Sequence, residues 1–405
     1  MPSRLEYALR QLFWLSNRPF VKGFMIRPLN VTVDPDSDPM PRRPFVLVSN
    51  HANFLDPWMV GFQSRDALFI MMNDDGFRGS RMRRLYLHAV GAFGKKKGAH
   101  DYKAMKRTLN LLKGGFPVLI FPEGQTSWDG ETQPIYSGVE KIIKRGRCPL
   151  VMMHLRGNFL TRPWWAEHSR KGKIVVKIKV LDAGILGSIP DPDLLETIKT
   201  YIYNNDIKNP ENRAVPFTGS GMAVGLERFV WICKQCGAED ALVTGGNTIT
   251  CTACSASWEM DARCVLTPRM PTIGPIGDLH DWTAWHKQEV KARVARARRG
   301  ALLTESKDVL MQTEGPGGEF VDRITGTLSL YPEKIVFAPS DSGGAIVEWP
   351  LDTIEDYVIQ LKDLFEFRNG KEYLRFLFRG HSPMKWIFYV RYMKGYDEIE
   401  ERGYY

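Results

Sequence analysis

Short apolar runs bounded by Gly, Pro, Asn and Asp, separated by amphipathic stretches, fill the first half of the chain. Phe45-Val46-Leu47-Val48, Val118-Leu119-Ile120 and Pro149-Leu150-Val151-Met152-Met153 are short and partly β-branched, which predicts buried strands, and Lys173 to Val180 predicts another. Before them, Leu5, Leu9, Leu12 and Phe13 fall on one face of a helix predicted from Leu5 to about Leu15, with Trp14 as an interfacial aromatic. Asn17-Arg18-Pro19 predicts a break, after which Phe20, Val21, Phe24 and Met25 begin a second apolar patch. A bilayer interface and the core of the protein are equal candidates for the partner of these faces. Asp34 to Pro44 reads as a connecting loop. Asp56-Pro57 predicts a helix start, with Asp at the cap and Pro at the first helical position. A helix near Pro192 to Tyr203 closes this part around residue 210.

The second half has another rhythm. Asp281 to Arg299 predicts a helix ending in a run of Lys and Arg, either a contact for acidic lipid headgroups or a solvated face. From about 303 to 393 the pattern is that of an antiparallel β domain. Thr327-Leu328-Ser329-Leu330 alternates, Lys334 to Phe337 is strand-like, and Asn369-Gly370 is a hairpin turn before Tyr373-Leu374-Arg375-Phe376. Met384 to Tyr392 predicts a further strand and Lys394 to Glu401 a terminal helix. The strand pattern is loosely similar to pleckstrin-homology-like barrels.

Composition narrows the classes. At 405 residues, 43% of them hydrophobic, the chain has material for two or three domains with real cores. Its formal charge of +9 favours anionic partners. No run reaches the ~18 apolar residues of a membrane span and no signal peptide is visible, so the expected place is cytoplasmic, peripheral at the inner face of a membrane. Four of the six cysteines form two Cys-x-x-Cys pairs, which points to a metal site in a reducing compartment rather than to disulfides.

The candidate chemistry gathers where a predicted strand gives way to a helix. His51 sits in that turn, and Asp56 can curl back to accept a hydrogen bond from one imidazole nitrogen, leaving the other free as a general base. About 70 residues on, Phe121-Pro122-Glu123-Gly124-Gln125-Thr126-Ser127 follows a second strand, a spacing that suits a right-handed crossover in one parallel sheet. Asn-His-x-x-x-x-Asp-Pro and Phe-Pro-Glu-Gly-x-x-Ser, in this order, resemble the glycerolipid acyltransferase family, typified by 1-acylglycerol-3-phosphate acyltransferases. The resemblance covers the chain to roughly residue 215.

It implies an α/β domain with a mixed, largely parallel sheet flanked by helices. It also implies transfer of a fatty acyl group from an acyl-CoA or acyl carrier protein thioester to a hydroxyl of a lysophospholipid. His51 is then the general base and Asp56 its stabiliser. Backbone N–H groups around Gly124 are candidate oxyanion donors, and Glu123, Thr126 and Ser127 would position the acceptor. A second family block maps onto Gly91 to Lys97 and implies that Lys97 meets the acceptor's phosphate. Here Gly94 replaces the family's aromatic and Lys97 its arginine, a point charge without the bidentate fork. No Gly-x-Ser-x-Gly elbow offers a covalent acyl-serine, and the lysines near Gly94 form no P-loop.

Beyond residue 215 the chain reads differently. Cys233-Lys234-Gln235-Cys236 and Cys251-Thr252-Ala253-Cys254, 14 residues apart with Gly245-Gly246 as a turn between them, predict a zinc ribbon with structural zinc. Rubredoxin-type iron is the alternative metal, and Cys148 and Cys264 read as buried thiols. The expected organisation is amphipathic helices over 1–30, an acyltransferase domain over 31–215, a ribbon over 226–266, a basic helix over 280–300 and a β-rich domain over 303–405. Expected partners are an anionic membrane surface, a lysophospholipid and acyl carrier protein. Other classes are a catalytically silent lipid-surface adaptor and a ribbon that binds nucleic acid or protein; against nucleic acid, the excess charge lies around the acyltransferase motifs rather than in the ribbon.

Overall fold

Seven strands of the first half pair into one sheet because their apolar residues alternate between two buried faces. They are β1 (Val31–Val33), β2 (Val46–Ser49), β3 (Phe69–Asn73), β4 (Ala92–Lys95), β5 (Val118–Ile120), β6 (Leu150–Arg156) and β7 (Ile174–Leu181). The spatial order is β1-β7-β6-β2-β5-β3-β4, parallel throughout except between β6 and β7. This is the mixed, largely parallel sheet expected. The computed structural model describes residues 2–77, 81–95, 101–135, 137–269, 276–315, 319–341, 343–360 and 362–396.

Helices of this unit are α1 (Arg4–Val21), α2 (Asp56–Gln63), α3 (Arg81–Ala89), α4 (Tyr102–Lys113), α5 (Val139–Gly146), α6 (Asn158–Thr161), α7 (Ala183–Ser188), α8 (Asp191–Ile202) and α9 (Pro210–Arg213). Val46, Val48, Val118, Ile120, Leu150 and Met152 pack on one side of the sheet with Leu112 of α4, Ile143 of α5 and Ile198 of α8. Leu47, Leu119, Val151 and Met153 pack on the other with Met59 and Val60 of α2. Burial on both faces is what a parallel sheet requires, and it fixes the register: Val48 pairs with Ile120 and with Met152. The turns that follow β2, β5 and β6 therefore leave the sheet at the same edge, within reach of one another.

The first helix departs from expectation. Rather than breaking at Asn17-Arg18-Pro19 it runs through Pro19 to Val21 and passes into a π-helical turn, Lys22–Ile26. Tertiary anchoring overrides the local cost of the proline. Tyr7 is buried and its hydroxyl donates to the Ala67 carbonyl, 3.2 Å, and Gln11 and Trp14 donate to Arg65 and Ser64 carbonyls. Leu5, Leu9, Leu12, Phe13, Leu15, Phe20 and Phe24 remain exposed. Two residues of α3, Met82 and Leu85, are exposed as well.

The chain divides into two compact units, one built mainly of Met1–Trp164 and Ser169–Gly219, the other of Trp165–His168 and Ser220–Ile399. In the second, β8 (Leu242–Gly245), β9 (Thr248–Cys251), β10 (Ser257–Met260), β11 (Val265–Pro268) and β12 (Gly277–Asp278) form an antiparallel sheet in sequential order. Helix α10 (Leu279–Arg296) starts on a capping box between Asp278 and Asp281. Strands β13 (Thr304–Glu314), β14 (Phe320–Leu330), β15 (Lys334–Pro339), β16 (Val347–Pro350), β17 (Ile354–Gln360), β18 (Leu364–Asn369) and β19 (Glu372–Leu377) make a second antiparallel sheet, ordered β16-β15-β14-β13-β19-β18-β17. The strand predicted at Met384 to Tyr392 is instead helix α11 (Met384–Met393). Every side chain from Met384 to Arg391 is buried, so this apolar run carries no period that would tell helix from strand. The helix predicted from Lys394 begins where α11 ends, and its part beyond residue 396 lies outside the described residues.

Candidate active site

Between β2 and α2 the chain makes a turn that folds a carboxylate back on an imidazole. Leu55 occupies the cap position of α2 and Asp56 is its first residue, so the predicted start is shifted by one. The Asp56 carboxylate, with no solvent exposure, turns backwards and gathers the turn around itself. His51 Nδ1 donates to Asp56 Oδ2 over 2.9 Å, and the Ala52 and Asn53 N–H groups donate to the same oxygen over 2.7 and 2.8 Å. The fourth donor, on Oδ1, is Asn158 Nδ2 at 3.1 Å. The imidazole lies on the Phe121 ring, centroids 4.2 Å apart and 24° from parallel, and its side chain keeps 17% exposure. Holding Nδ1 as donor fixes the tautomer that leaves Nε2 able to accept a proton.

The second motif meets the first through backbone. Glu123, almost fully buried, accepts the His51 N–H on Oε1 over 2.5 Å and the Gln133 N–H on Oε2 over 2.7 Å. It clamps the His51 turn to the segment after the motif. Ser127 adds a bond in the same sense, its N–H donating to the His51 carbonyl over 2.7 Å, while its hydroxyl donates to the Glu131 carbonyl. Gly124 adopts φ +69°, where a side chain would be strained. Its N–H donates to the Phe121 carbonyl over 3.1 Å, and its own carbonyl accepts from Asn73 Nδ2 at the end of β3 over 2.9 Å. Thr126 is half-buried beside them. His51, Asp56, Glu123, Gly124, Thr126 and Ser127 thus come from two turns joined by these bonds, whereas Lys97 lies outside the described residues. Lys95, last residue of β4, is buried, and burial pushes its ammonium down to about 8 against the opposing pull of Asp101.

Three positions in this network carry no motif. Asn73 and Gln133 bind the second motif's turn, and Asn158 opens α6 after β6. The signal available in the sequence was that Asn73 ends β3 and Asn158 follows β6, strands whose ends share one edge of the sheet, whereas nothing marks Gln133. A fourth, Asp206, is fully buried and accepts from the N–H groups of Gly157 and Phe159 over 2.7 and 2.8 Å and from Asn204 and Asn212 side chains. Burial holds its carboxyl above the ordinary range despite these donors.

In the second unit the four expected cysteines converge. Their sulfurs all lie within 4.8 Å of one another, with Cys233 Sγ 3.8 Å from Cys254 Sγ and Cys236 Sγ 3.8 Å from Cys251 Sγ. A tetrahedral ion with Zn–S bonds of ~2.3 Å needs sulfurs ~3.8 Å apart, so the donor set fits zinc and closes around it. Each knuckle is tied by backbone bonds, Gly237 N–H to the Cys233 carbonyl and Ser255 N–H to the Cys251 carbonyl. Cys148 and Cys264 are buried apart from this group, and burial raises the Cys148 thiol to about 11.

Comparison with known proteins finds similarity over part of the chain. Residues 31–155 match the Acyltransferase family model. A 1-acyl-sn-glycerol-3-phosphate acyltransferase of Chlamydomonas reinhardtii is 25% identical over 164 residues, 40% of this chain and 47% of that protein. A chloroplastic 1-acyl-sn-glycerol-3-phosphate acyltransferase of Brassica napus is 29% identical over 131 residues, 31% of this chain and 36% of that protein. The chain thus spans less than half the length of these curated relatives. Among solved structures, the 1-acyl-sn-glycerophosphate acyltransferase of Thermotoga maritima is 18% identical with a TM-score of 0.40, over 50% of this chain and 81% of that one.

Proposed function

We propose that this chain, whose residues 31–155 match the Acyltransferase family model, moves a fatty acyl group from a thioester to the hydroxyl of a lysophospholipid. The named relatives make 1-acylglycerol-3-phosphate the first acceptor to test. The observation that carries the reading is the imidazole held through Nδ1 by a fully buried carboxylate, in a turn that Glu123 of the second motif clamps. His51 Nε2 takes the proton of the acceptor hydroxyl as its oxygen attacks the thioester carbonyl. The tetrahedral intermediate collapses with loss of the thiolate, which takes up the proton from the imidazolium. Asp56 stabilises that imidazolium between the two steps. The Gly124 N–H already closes a turn on Phe121, so it reaches an oxyanion only if that turn opens.

The same reading gives the accessory parts their roles. The four cysteines hold a structural zinc, every ligand coming from the protein. The exposed leucines and phenylalanines of α1 and Lys22–Ile26, opposite the face that packs on the unit, rest on an anionic membrane surface where the acceptor resides. Among the described residues no helix is long and apolar enough to cross a membrane. The test is incubation of purified protein with labelled acyl-CoA, or with acyl carrier protein thioester, and a panel of lysophospholipids, followed by chromatography. His51→Ala should lower turnover by ~10² to 10⁴. Product formation that survives this substitution, or no product from any pairing, would sink the reading in favour of a non-catalytic lipid-surface adaptor.

A further inference from the structure

We infer that Asn158 is a positioning residue for the His51–Asp56 pair, held in place by Asp206 through the backbone of Gly157 and Phe159. The inference rests on the acyltransferase reading above, and both residues lie beyond the segment that the family model matches. Asp56 Oδ2 is shared by three donors, but Oδ1 receives Asn158 Nδ2. That one bond sets the rotation of the carboxylate about its own axis, and with it the direction in which Oδ2 meets the imidazole. Asn158 is itself immobilised. Its carbonyl accepts from Asn53 Nδ2 over 3.2 Å and from the Thr161 hydroxyl over 2.8 Å, and its side chain has no solvent exposure.

The preceding turn is fixed just as closely. Gly157 has φ +85°, and a Cβ there would stand 2.4 Å from the Lys173 carbonyl oxygen, so only glycine allows β6 to turn into α6 this tightly. Asp206 then takes both N–H groups that flank Asn158, at 2.7 and 2.8 Å, while its own orientation is set by Asn204 Nδ2 and Asn212 Nδ2. Asn204 Nδ2 also reaches the Leu155 carbonyl, and Asn50 exchanges two hydrogen bonds with the Leu155 backbone, which ties this support to the residue next to His51. A buried chain of neutral donors and two carboxylates, Asp206 and Asp56, therefore runs from the loop after α8 to His51.

Asn158→Ala tests this cleanly, because it deletes the bond to Asp56 and keeps the backbone carbonyl that Asn53 and Thr161 use. In the full-length protein it should lower kcat by about tenfold or more while each KM moves by no more than about twofold, the signature of a group felt in the transition state. Asn158→Asp supplies a second readout. Its carboxyl, lying between Asp56 and the backbone held by Asp206, donates to Asp56 only while protonated. That variant should approach wild-type turnover at acid pH and lose it as pH rises, a limb missing from Asn158→Ala. Nitrogen NMR on histidine-labelled protein, with the His51 signal assigned by its loss in His51→Gln, supplies a readout free of turnover. Wild type should show neutral His51 protonated at Nδ1, and Asn158→Ala a mixture of tautomers. The inference is overturned if Asn158→Ala keeps kcat within about twofold of wild type, or if its activity falls only with the folded fraction while the tautomer stays pure. If wild type turns over no acceptor, the activity reading fails by itself and the NMR arm still decides the positioning.

Discussion

Replacing Asp56 separates charge from hydrogen bonding at this site. In Asp56→Asn the position of Oδ2 is ringed by three donors, His51 Nδ1 and the Ala52 and Asn53 N–H groups, so the amide oxygen must take it. The new amide nitrogen then faces Asn158 Nδ2, donor against donor. Asn158 can resolve this by turning its amide over, since its Oδ1 has no hydrogen-bond partner and can accept. Hydrogen bonds and imidazole tautomer both survive, and only the negative charge is lost. Opposite unit charges ~4 Å apart attract by about 4 kcal/mol at the effective dielectric of a partly buried pair. The retained neutral bond keeps part of this, so the barrier should rise by about 3 kcal/mol, a loss of ~10² in kcat. Stability should hardly change. Asp56→Ala strands two buried N–H groups and the Asn158 amide, at about 1 to 3 kcal/mol each, and should lower the melting transition of the first unit by about 10 °C. Steady-state acyl transfer and calorimetry on both variants check the pair. An Asp56→Asn protein within threefold of wild-type turnover, or one as unstable as Asp56→Ala, would refute the reasoning.

Other consequences are simpler to state. Cys251→Ser should abolish a zinc content of about one per chain and unfold more than the ribbon. Glu239 and Asp240 in the knuckle segment pair with Arg293 of α10 and with Tyr389 and Lys385 of α11, so hydrogen exchange should quicken in Met384–Met393 as well as in Leu242–Gly245; protection confined to its old value in α11 would disprove the coupling. Leu9→Asp and Leu12→Asp should weaken co-sedimentation with anionic vesicles without moving the melting transition, since both side chains are exposed, and unchanged sedimentation would remove α1 from the membrane contact. Burial lowers His154 from 6.5 to about 4, so its unfolded form binds a proton that the folded form refuses. Stability should be full above about pH 6.5 and fall by up to ~1.4 kcal/mol per pH unit toward pH 4, and His154→Gln should flatten that part of a denaturation profile.

What the sequence disclosed depended on whether a local pattern carried the information. Strands β2, β5 and β6 were legible because their residues are short apolar runs buried on both faces, and the His51–Asp56 contact because five residues of turn bring the two side chains together. The cysteine convergence was legible because each knuckle is local and four thiolates have few other uses. Where the pattern is silent, the structure departs from expectation. Met384 to Arg391 is buried on every side and so lost the helical period. Pro19 announced a break, yet Tyr7, Gln11 and Trp14 anchor α1 strongly enough to carry the helix past it.

The support behind the His51–Asp56 pair was hidden for a different reason. The motif implies that Glu123 positions the acceptor, and in the fold both its oxygens hold backbone N–H groups of His51 and Gln133, a role no motif states. Asn158 and Asp206 stand 102 and 150 positions from Asp56, and in the sequence each is an ordinary polar residue in a loop. Their role appears only when β6, lying beside β2, brings Gly157 to the edge where the His51 turn begins, and when α8 returns the chain to that same edge. A motif records the groups that act. The groups that aim them are chosen by the sheet order, which no window of neighbouring residues contains.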